Sequence, residues 1–344
     1  MNIPELELDY APKLGNKIDY GIGIVGAGAI INVAHLPAYR KAGFRVVGIT
    51  DINRERAVET AQKFDIPKAY MNVEELIADE SVEIVDIAVP ARHQRKIVET
   101  VVATKKHLLC QKPLAEEYAA AQAIVELAQS AGVKLAVNQQ MRWEQATRAS
   151  KTLMERGWLG TPITAGIYVS ILTDWSAWGW LLSVERLGIM YHSIHYFDSL
   201  RFLFGTPERM FCSASRAPNQ AAKGETRTLT IMEYDSGLRI LVDVNHDNWT
   251  EDCHATFRFD GTEGVIQGTY GLLYNYPHGR PDTLEFMSRT RQPGYWFRAP
   301  IKGMWIPDAF VGPMGSLMHA IETGGEPETS GADNLQTLQM VHAA

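Results

Sequence analysis

The sequence lacks the features of a membrane protein, a secreted disulfide-rich protein or a nucleic-acid-binding protein. Its apolar runs fall short of the roughly 20 residues that span a bilayer, and its N-terminus has no apolar core of the secretion-signal type. Three widely spaced cysteines, Cys110, Cys212 and Cys253, indicate reduced thiols in a cytoplasmic protein. A net charge of −7 disfavours nucleic acid and anionic membranes as partners. A soluble, cytoplasmic globular protein is therefore expected.

The length of 344 residues and the 46% content of hydrophobic residues suit two domains with sizeable cores. Residues 1–18 show no period, which predicts a leader on the surface. Over residues 19–140, short continuous apolar runs alternate with amphipathic segments. This alternation predicts an α/β Rossmann domain, in which helices cover both faces of a parallel, doubly wound sheet.

Residues 141–344 follow a different pattern. Segments of alternating polarity, bounded by Gly and Asp-Gly turns, predict six or more strands of a large, mostly antiparallel open sheet. Helical stretches, the longest at 186–205, make this second domain α+β. Because too few helices follow residue 141 to cover both faces of such a sheet, we expect the chain to form a homodimer or homotetramer through it.

A glycine-rich loop follows the first predicted strand. Gly26 and Gly28 allow a tight turn and a close approach of a pyrophosphate, while Ala29 and Ile30 open the next helix, whose N–H groups face the phosphates. Ile31 stands at the third position of the G-x-G-x-x-G pattern, where a small residue is usual. The loop predicts a dinucleotide-binding site that uses Gly26, Gly28, Ala29 and Ile30.

Asp51 ends the second predicted strand. A carboxylate at this point can accept hydrogen bonds from both ribose hydroxyls of the adenosine and would repel a 2′-phosphate, so NAD is favoured over NADP. Two observations keep alternatives open. Asp51 could instead cap the following helix, and the nearby Arg54 leaves room for NADP.

A Gln111-Lys112-Pro113 segment follows the fourth predicted strand. Ligands of open parallel sheets bind beyond the carboxyl ends of the strands, and Pro113 restrains the backbone next to Lys112. A lysine held there could lie beside a nicotinamide and a reacting alcohol. The alternative is an ordinary surface lysine.

The stretch YHSIHYFD, residues 191–198, predicts a helix that places Tyr191, His195 and Asp198 on one face. A neutral imidazole is a competent proton acceptor near pH 7, so His195 is a candidate base, with Tyr191 beside it. The alternative is a core histidine. A metal site built on His192 and His195 is disfavoured because no compact zinc-type ligand spacing is present, so no metal is expected.

The sequence resembles the Gfo/Idh/MocA family of oxidoreductases from about Tyr20 to its end. The matching pieces are GAGAIINVAHLPA at 26–38, DIAVPARHQ at 86–94, KKHLLCQKPLA at 105–115, YHSIHYFD at 191–198 and GTEGVI at 261–266. The resemblance implies that Pro90, His93 and Gln111 join the cofactor site and that Lys112 contacts both the cofactor and the substrate. Gln111 stands where the family usually has Glu, and Tyr191 where many members have Asp.

The implied activity is NAD-dependent oxidation of a small neutral sugar or polyol. Arg142 and Trp143, together with Lys112, Tyr191 and His195, are the candidate substrate-binding residues, since aromatic faces among polar groups suit a carbohydrate ring. The pattern resembles aldose dehydrogenases that convert an anomeric carbon to a lactone, with D-apiose as one candidate. The alternatives are an inositol-type ring-hydroxyl dehydrogenase and a nucleotide-binding sensor without turnover.

Overall fold

The computed structural model describes residues 7–291 and 293–344. They divide into two compact units. The parallel-sheet unit comprises residues 12–140 and 306–338, and the eight-stranded unit comprises the remaining described residues. One boundary between the units falls after residue 140. The prediction of one continuous second domain, 141–344, does not hold for residues 306–338.

The elements are numbered in chain order. The strands are β1 Ile22–Val25, β2 Val46–Thr50, β3 Ile84–Ile87, β4 His107–Cys110, β5 Leu135–Val137, β6 Pro162–Ser170, β7 Arg209–Ser215, β8 Arg227–Glu233, β9 Arg239–Asn245, β10 His254–Gly261, β11 Gly264–Thr269, β12 Thr283–Ser288 and β13 Phe297–Arg298. The helices are α1 Leu36–Ala42, α2 Arg54–Phe64, α3 Val73–Ala78, α4 Ala91–Val102, α5 Tyr118–Ala131, α6 Gln145–Glu155, α7 Ile194–Phe204, α8 Trp305–Asp308, α9 Val311–Thr323 and α10 Gly331–Ala343. Two π-turns, Ile31–His35 and Ile189–Ser193, precede α1 and α7.

The first sheet confirms the predicted Rossmann architecture. Its five strands are all parallel and lie in the order β2-β1-β3-β4-β5. They are buried almost throughout because helices cover the sheet, as the continuous apolar runs indicated. Gly132 caps the C-terminus of α5, and its positive φ of 68° lies in the left-handed region that glycine favours.

Residues 306–338 join the parallel-sheet unit through contacts of α9 and of the segment that follows it. Helix α9 packs on β4 and β5. A bridge pairs Ala136 of β5 with Ser330, and the Lys134 ammonium lies 2.6 Å from the Glu326 carboxylate. These packing partners lie about 190 residues earlier in the chain, beyond the reach of a periodicity argument.

The second sheet has eight strands in the order β13-β12-β11-β10-β6-β9-β8-β7. Its strand pairs are antiparallel except β6 with β9, which run parallel. This confirms the predicted mostly antiparallel α+β unit. Strands β8, β9 and β10 alternate between buried and accessible residues, so one face carries the core and the other stays open.

The open face of this sheet carries an apolar row. Phe211, Ile231 and Leu241 are cross-strand neighbours on β7, β8 and β9, and Gly166 follows on β6. The Tyr168 ring lies over Gly166, where an added Cβ would come within 2.6 Å of it. Phe211 is 64% exposed. An accessible row of this kind is a candidate surface for association.

None of the described helices has the length and apolar composition required to cross a membrane. The three cysteines form no disulfide; Cys110 is fully buried, while Cys212 and Cys253 are half-buried.

The eight-stranded unit buries two carboxyl groups against each other. Glu144 caps α6, since its oxygens accept from the backbone N–H groups of Ala146 and Thr147 at 2.8 and 2.7 Å. Asp282 accepts from the Gly271 N–H at 2.6 Å, and its carboxyl group lies close to that of Glu144. Burial and the nearby Glu144 charge raise the pKa of Asp282 well above its usual range. Asp282 therefore holds a proton in the folded chain.

This pair makes stability depend on pH. The folded chain keeps a proton that the unfolded chain releases above about pH 4, so the free energy of unfolding should fall as pH rises, by up to about 1.4 kcal/mol per pH unit. Asp282→Asn replaces the O–H donor with an N–H donor and should flatten this dependence between pH 5 and pH 8. Urea unfolding at a series of pH values measures it. Glu285→Gln on β12, which removes a carboxylate outside the pair, should keep the parental slope; an unchanged slope in Asp282→Asn would contradict the assignment.

Candidate active site

The glycine loop after β1 has the geometry that a dinucleotide requires. Gly26 has a φ of 107°, and a Cβ there would lie 2.6 Å from the Ala88 carbonyl oxygen, so both its backbone and its surroundings demand glycine. A Cβ on Gly28 would meet no described atom within 4 Å. It would instead fill the open side of the loop, where a pyrophosphate would approach the backbone. The residues present therefore fit the cofactor.

The helix after the loop begins with the π-turn Ile31–His35. Ala29 is exposed and Ile30 half-buried at its start, where backbone N–H groups lack helical partners and can face phosphate. Ile31, the larger residue at the third motif position, is fully buried in the wider turn. The departure from the pattern therefore coincides with a local change of helix type and leaves the loop in place.

Asp51 lies directly after β2 and contacts the loop itself. One carboxylate oxygen accepts from the Ala27 N–H at 2.7 Å, and the other accepts from the Asn53 N–H at 2.7 Å. The alternative that Asp51 caps α2 is wrong, because Asn53 is the N-cap and accepts from the Arg56 N–H. Its place at the strand end, beside the loop, is where a ribose-binding carboxylate is expected.

Pro90 and His93 lie at the start of α4, after β3. Pro90 is the residue before the helix, and its carbonyl accepts from the His93 N–H at 2.9 Å. The His93 side chain is exposed and receives a hydrogen bond from Arg92 at 3.1 Å. Their contact with the cofactor stays a prediction.

Gln94, one residue further, was missed by the sequence analysis. It is fully buried, and its side-chain amide donates to the carbonyl oxygens of Gln111 and Pro113 at 2.8 Å each. It thereby holds the backbone on either side of Lys112. The available signal was a polar residue on the same apolar helix face as Val98 and Val101.

Lys112 itself is half-buried beyond the end of β4. The Gln111 side-chain oxygen accepts from the Lys112 N–H at 2.8 Å, so the backbone at Lys112 is fixed by side chains as well as by Pro113. Burial lowers the pKa of Lys112 to about 8. Such an ammonium can give up its proton near physiological pH, unlike an ordinary surface lysine.

The predicted histidine helix is present in the eight-stranded unit. Tyr191 lies in the π-turn before α7, and its ring meets Trp180 edge-on at 5.3 Å. His195 is 7% exposed and packs perpendicular to Trp305 at 5.6 Å. The aromatic neighbours fix the orientation of both side chains.

Asp198, on the same helix, forms a buried ion pair with Arg142. The guanidinium donates to both carboxylate oxygens at 2.7 Å, and both side chains are nearly inaccessible. A second arginine, Arg201, lies 3.7 Å from the carboxylate. This pairing anchors α7 to the segment before α6. It favours a structural role for Arg142 over the predicted substrate contact.

Trp143 is likewise used in packing. Its ring is 4% exposed and lies under the Arg148 guanidinium at 4.8 Å. Two other tryptophans of this unit differ in their surroundings: Trp175 packs on His246 at 5.0 Å, whereas Trp249 is 84% exposed. The His246 ring is buried, which lowers its pKa to about 3 and keeps it neutral.

The His192 ring lies 4.3 Å from that of His246. Across residues 7–291 and 293–344, no group of three histidine, cysteine, aspartate or glutamate side chains could hold a metal ion.

Two family models match the chain. The model described as an oxidoreductase family with an NAD-binding Rossmann fold matches residues 20–139, and the GFO/IDH/MocA C-terminal domain matches residues 147–267. Together they cover more than half of the sequence and fall on the two kinds of sheet described above.

Curated relatives and solved structures resemble the chain along most of its length. D-apiose dehydrogenase of Paraburkholderia graminis is 30% identical over 90% of this chain and 82% of its own. The 1,5-anhydro-D-fructose reductase of Ensifer adhaerens is 26% identical over 92% of each chain. An oxidoreductase from Agrobacterium radiobacter, solved with NAD+, L-tartaric acid and magnesium, superposes with a TM-score of 0.82 at 26% identity, covering 95% of each chain.

The glycine loop and the parallel sheet lie in the part matched by the first family model, and most of the eight-stranded sheet lies in the part matched by the second. The chain belongs to the Gfo/Idh/MocA family of oxidoreductases and has that family's NAD-binding Rossmann domain.

Proposed function

We propose that this enzyme oxidises a small neutral sugar with NAD, and that the sugar is an aldose whose anomeric carbon becomes a lactone. The observation that carries the proposal is Lys112, an amine with a lowered pKa that side chains hold beyond the end of β4. The similarity to D-apiose dehydrogenases supports D-apiose as the first substrate to test.

The chemistry needs a hydride acceptor and a proton acceptor. Bound NAD supplies the first, at its nicotinamide. The chain supplies the second: Lys112, with a pKa of about 8, can accept the hydroxyl proton in its neutral form or donate a hydrogen bond to the oxygen in its charged form. His195 is the other candidate acceptor, and Tyr191 a candidate hydrogen-bonding partner of the substrate. No described feature favours a phosphorylated substrate, since Arg142 is already paired with Asp198.

The function is tested by mixing the protein with NAD and separate pentoses, hexoses and inositols and following NADH absorbance. Turnover with aldoses supports the proposal. Turnover with inositols alone would identify a ring-hydroxyl dehydrogenase, and NAD binding without turnover would identify a sensor; either result would contradict it.

Lys112→Met keeps the approximate volume of the side chain and deletes its amine. We expect kcat to fall about a hundredfold or more, while the Kd for NAD changes little because the pyrophosphate and ribose contacts lie elsewhere. If the neutral amine is the proton acceptor, the parental rate of oxidation should rise with pH through about 8, and this dependence should vanish in the variant. Lys96→Met, at an exposed position on α4, is the matched control and should behave like the parent. Near-parental turnover of Lys112→Met would remove the basis of the proposal.

The choice of NAD over NADP rests on Asp51. Asp51→Ser should weaken NAD binding by about 1.5–3 kcal/mol and relieve the repulsion of a 2′-phosphate. Because Asp51 also accepts from the Ala27 N–H, the loop loses a contact and both cofactors can weaken. The informative quantity is therefore the ratio of the two Kd values, measured by titration calorimetry, which should shift at least about tenfold towards NADP. Equal Michaelis constants for NAD and NADP in the unmodified enzyme would contradict the assignment.

We also propose that two copies associate through the open face of the second sheet. The apolar row of Phe211, Ile231 and Leu241 supplies the contact. Sedimentation at micromolar concentration should show a dimer or tetramer, and Ile231→Asp should shift it towards monomer because a charge would be buried in the interface. Met71→Asp, at an exposed apolar residue of the other unit, should leave the assembly intact. A monomeric parent would overturn this proposal.

A further inference from the structure

A buried hydrogen-bond network surrounds His35, the last residue of the π-turn after the glycine loop. His35 is 1% exposed, and its Nδ1 lies 2.7 Å from a carboxylate oxygen of Asp86 on β3. The Tyr39 hydroxyl donates to the same oxygen at 2.7 Å. Burial, and then the Asp86 charge, raise the pKa of Tyr39 well above its usual range, so its hydroxyl stays a donor. A carboxylate that can only accept requires the His35 proton on Nδ1.

The other ring nitrogen of His35 faces two side-chain amides. Its Nε2 lies 3.3 Å from the Gln111 amide nitrogen and 3.1 Å from that of Asn138. The orientation of the Gln111 amide is fixed independently, because its oxygen accepts from the Lys112 N–H at 2.8 Å. The Gln111 amide therefore presents an N–H donor, and Nε2 must accept. A neutral imidazole protonated on Nδ1 satisfies every one of these contacts.

We propose that His35 is a positioning residue for Lys112, acting through Gln111. The path runs from Asp86, which fixes the tautomer, to His35, which orients the Gln111 amide, and from there to the Lys112 N–H. Gln94 holds the carbonyl side of the same segment. The backbone at Lys112 is thus held from both sides. The inference rests on the proposed function, since it gives His35 the role of positioning Lys112, the residue on which that function depends.

A purely structural role makes a different prediction. In that case the important contact is the one between His35 and Asp86, because an unpaired buried carboxylate destabilises the fold, and the contact with Gln111 is incidental. The two roles use different nitrogens of the same ring, so they can be separated by substitution.

Substitution of His35 by Asn or by Gln preserves one hydrogen-bonding group of the imidazole and removes the other. The Asn side chain places its N–H where Nδ1 lies, so His35→Asn keeps the donor to Asp86 and loses the acceptor for Gln111. The longer Gln side chain places its terminal oxygen where Nε2 lies, so His35→Gln keeps that acceptor and loses the contact with Asp86. Positioning predicts that kcat falls about tenfold or more in His35→Asn and stays within about threefold of the parent in His35→Gln. The free energy of unfolding should show the opposite order, because His35→Asn keeps the contact with Asp86 and His35→Gln loses it.

These values are measured as kcat per folded active site, the Kd for NAD, and urea unfolding. The Kd for NAD should change less than about threefold in both variants. Tyr39→Phe is the matched control, because it removes a donor to Asp86 without touching Gln111; it should lower stability and leave kcat within about twofold. Equal kcat values in the two His35 variants, or a larger loss in His35→Gln, would overturn the proposal.

Two further measurements do not depend on both variants folding well. Selective 15N-histidine NMR of the unmodified protein should show His35 protonated on Nδ1 alone; a proton on Nε2 would overturn the proposal. Gln111→Leu deletes the link while keeping His35, and adding His35→Asn to it should lower kcat no further, since one path has already been broken. An additional loss of tenfold would contradict a shared path. Near-parental turnover of Lys112→Met would refute the proposed function, whereas the NMR result still decides the His35 contact.

Discussion

A carboxylate buried in the middle of a parallel sheet organises the site end of the Rossmann unit. Asp86 lies on β3 with no accessible surface, and an isolated charge there would cost several kcal/mol. Tyr39 and His35 supply its donors. Both donors contact the same Asp86 oxygen, and this pairing fixes the His35 ring, which can then orient residues at the ends of β4 and β5. Pairing one buried carboxylate thereby fixes the positions of side chains at the strand ends, which is where ligands of parallel sheets bind.

The eight-stranded unit uses the same physical principle. Asp198 on α7 is buried and bidentate with Arg142, an arrangement in which removal of either partner would destabilise the fold by about 3–5 kcal/mol. Helix α7, which carries His195, is anchored by this ion pair, and aromatic packing adds to it at His195 and at Tyr191 in the preceding π-turn. Buried polar groups in both units thus hold the backbone near candidate catalytic residues. Most of the buried residues around them are apolar.

Much of the fold was predictable because local patterns reflect burial on one face or on both. The fourth predicted strand, which precedes Gln111, is β4, and the helical stretch predicted at 186–205 contains α7. The short helix α3 at 73–78 was not predicted, since six residues are too few for a clear period. The parallel pairing of β6 with β9 was missed too, because strand direction depends on connections rather than on local alternation.

The candidate site was predicted less completely than the fold. The loop glycines, Asp51, Lys112 and His195 stand out in sequence because backbone geometry or chemistry restricts their positions. Gln94 and His35 do not stand out, since a buried glutamine or histidine acquires its role from partners brought close by folding. Arg142 and Trp143 are the converse case: their side chains suggested a ligand, but their partners lie within the chain.

The sequence by itself determined that a parallel sheet is followed by a mostly antiparallel one, and it determined the dinucleotide loop, because these follow from periodicity and from the conformational freedom of glycine. Only the tertiary structure decided that residues 306–338 pack with the Rossmann unit, that Arg142 pairs with Asp198, and that Gln94 and Gln111 hold the backbone around Lys112. The physical reason is the separation along the chain over which each effect acts. Periodicity records which face of an element is buried, whereas a hydrogen bond between residues far apart in sequence depends on where the folded chain places both of its partners.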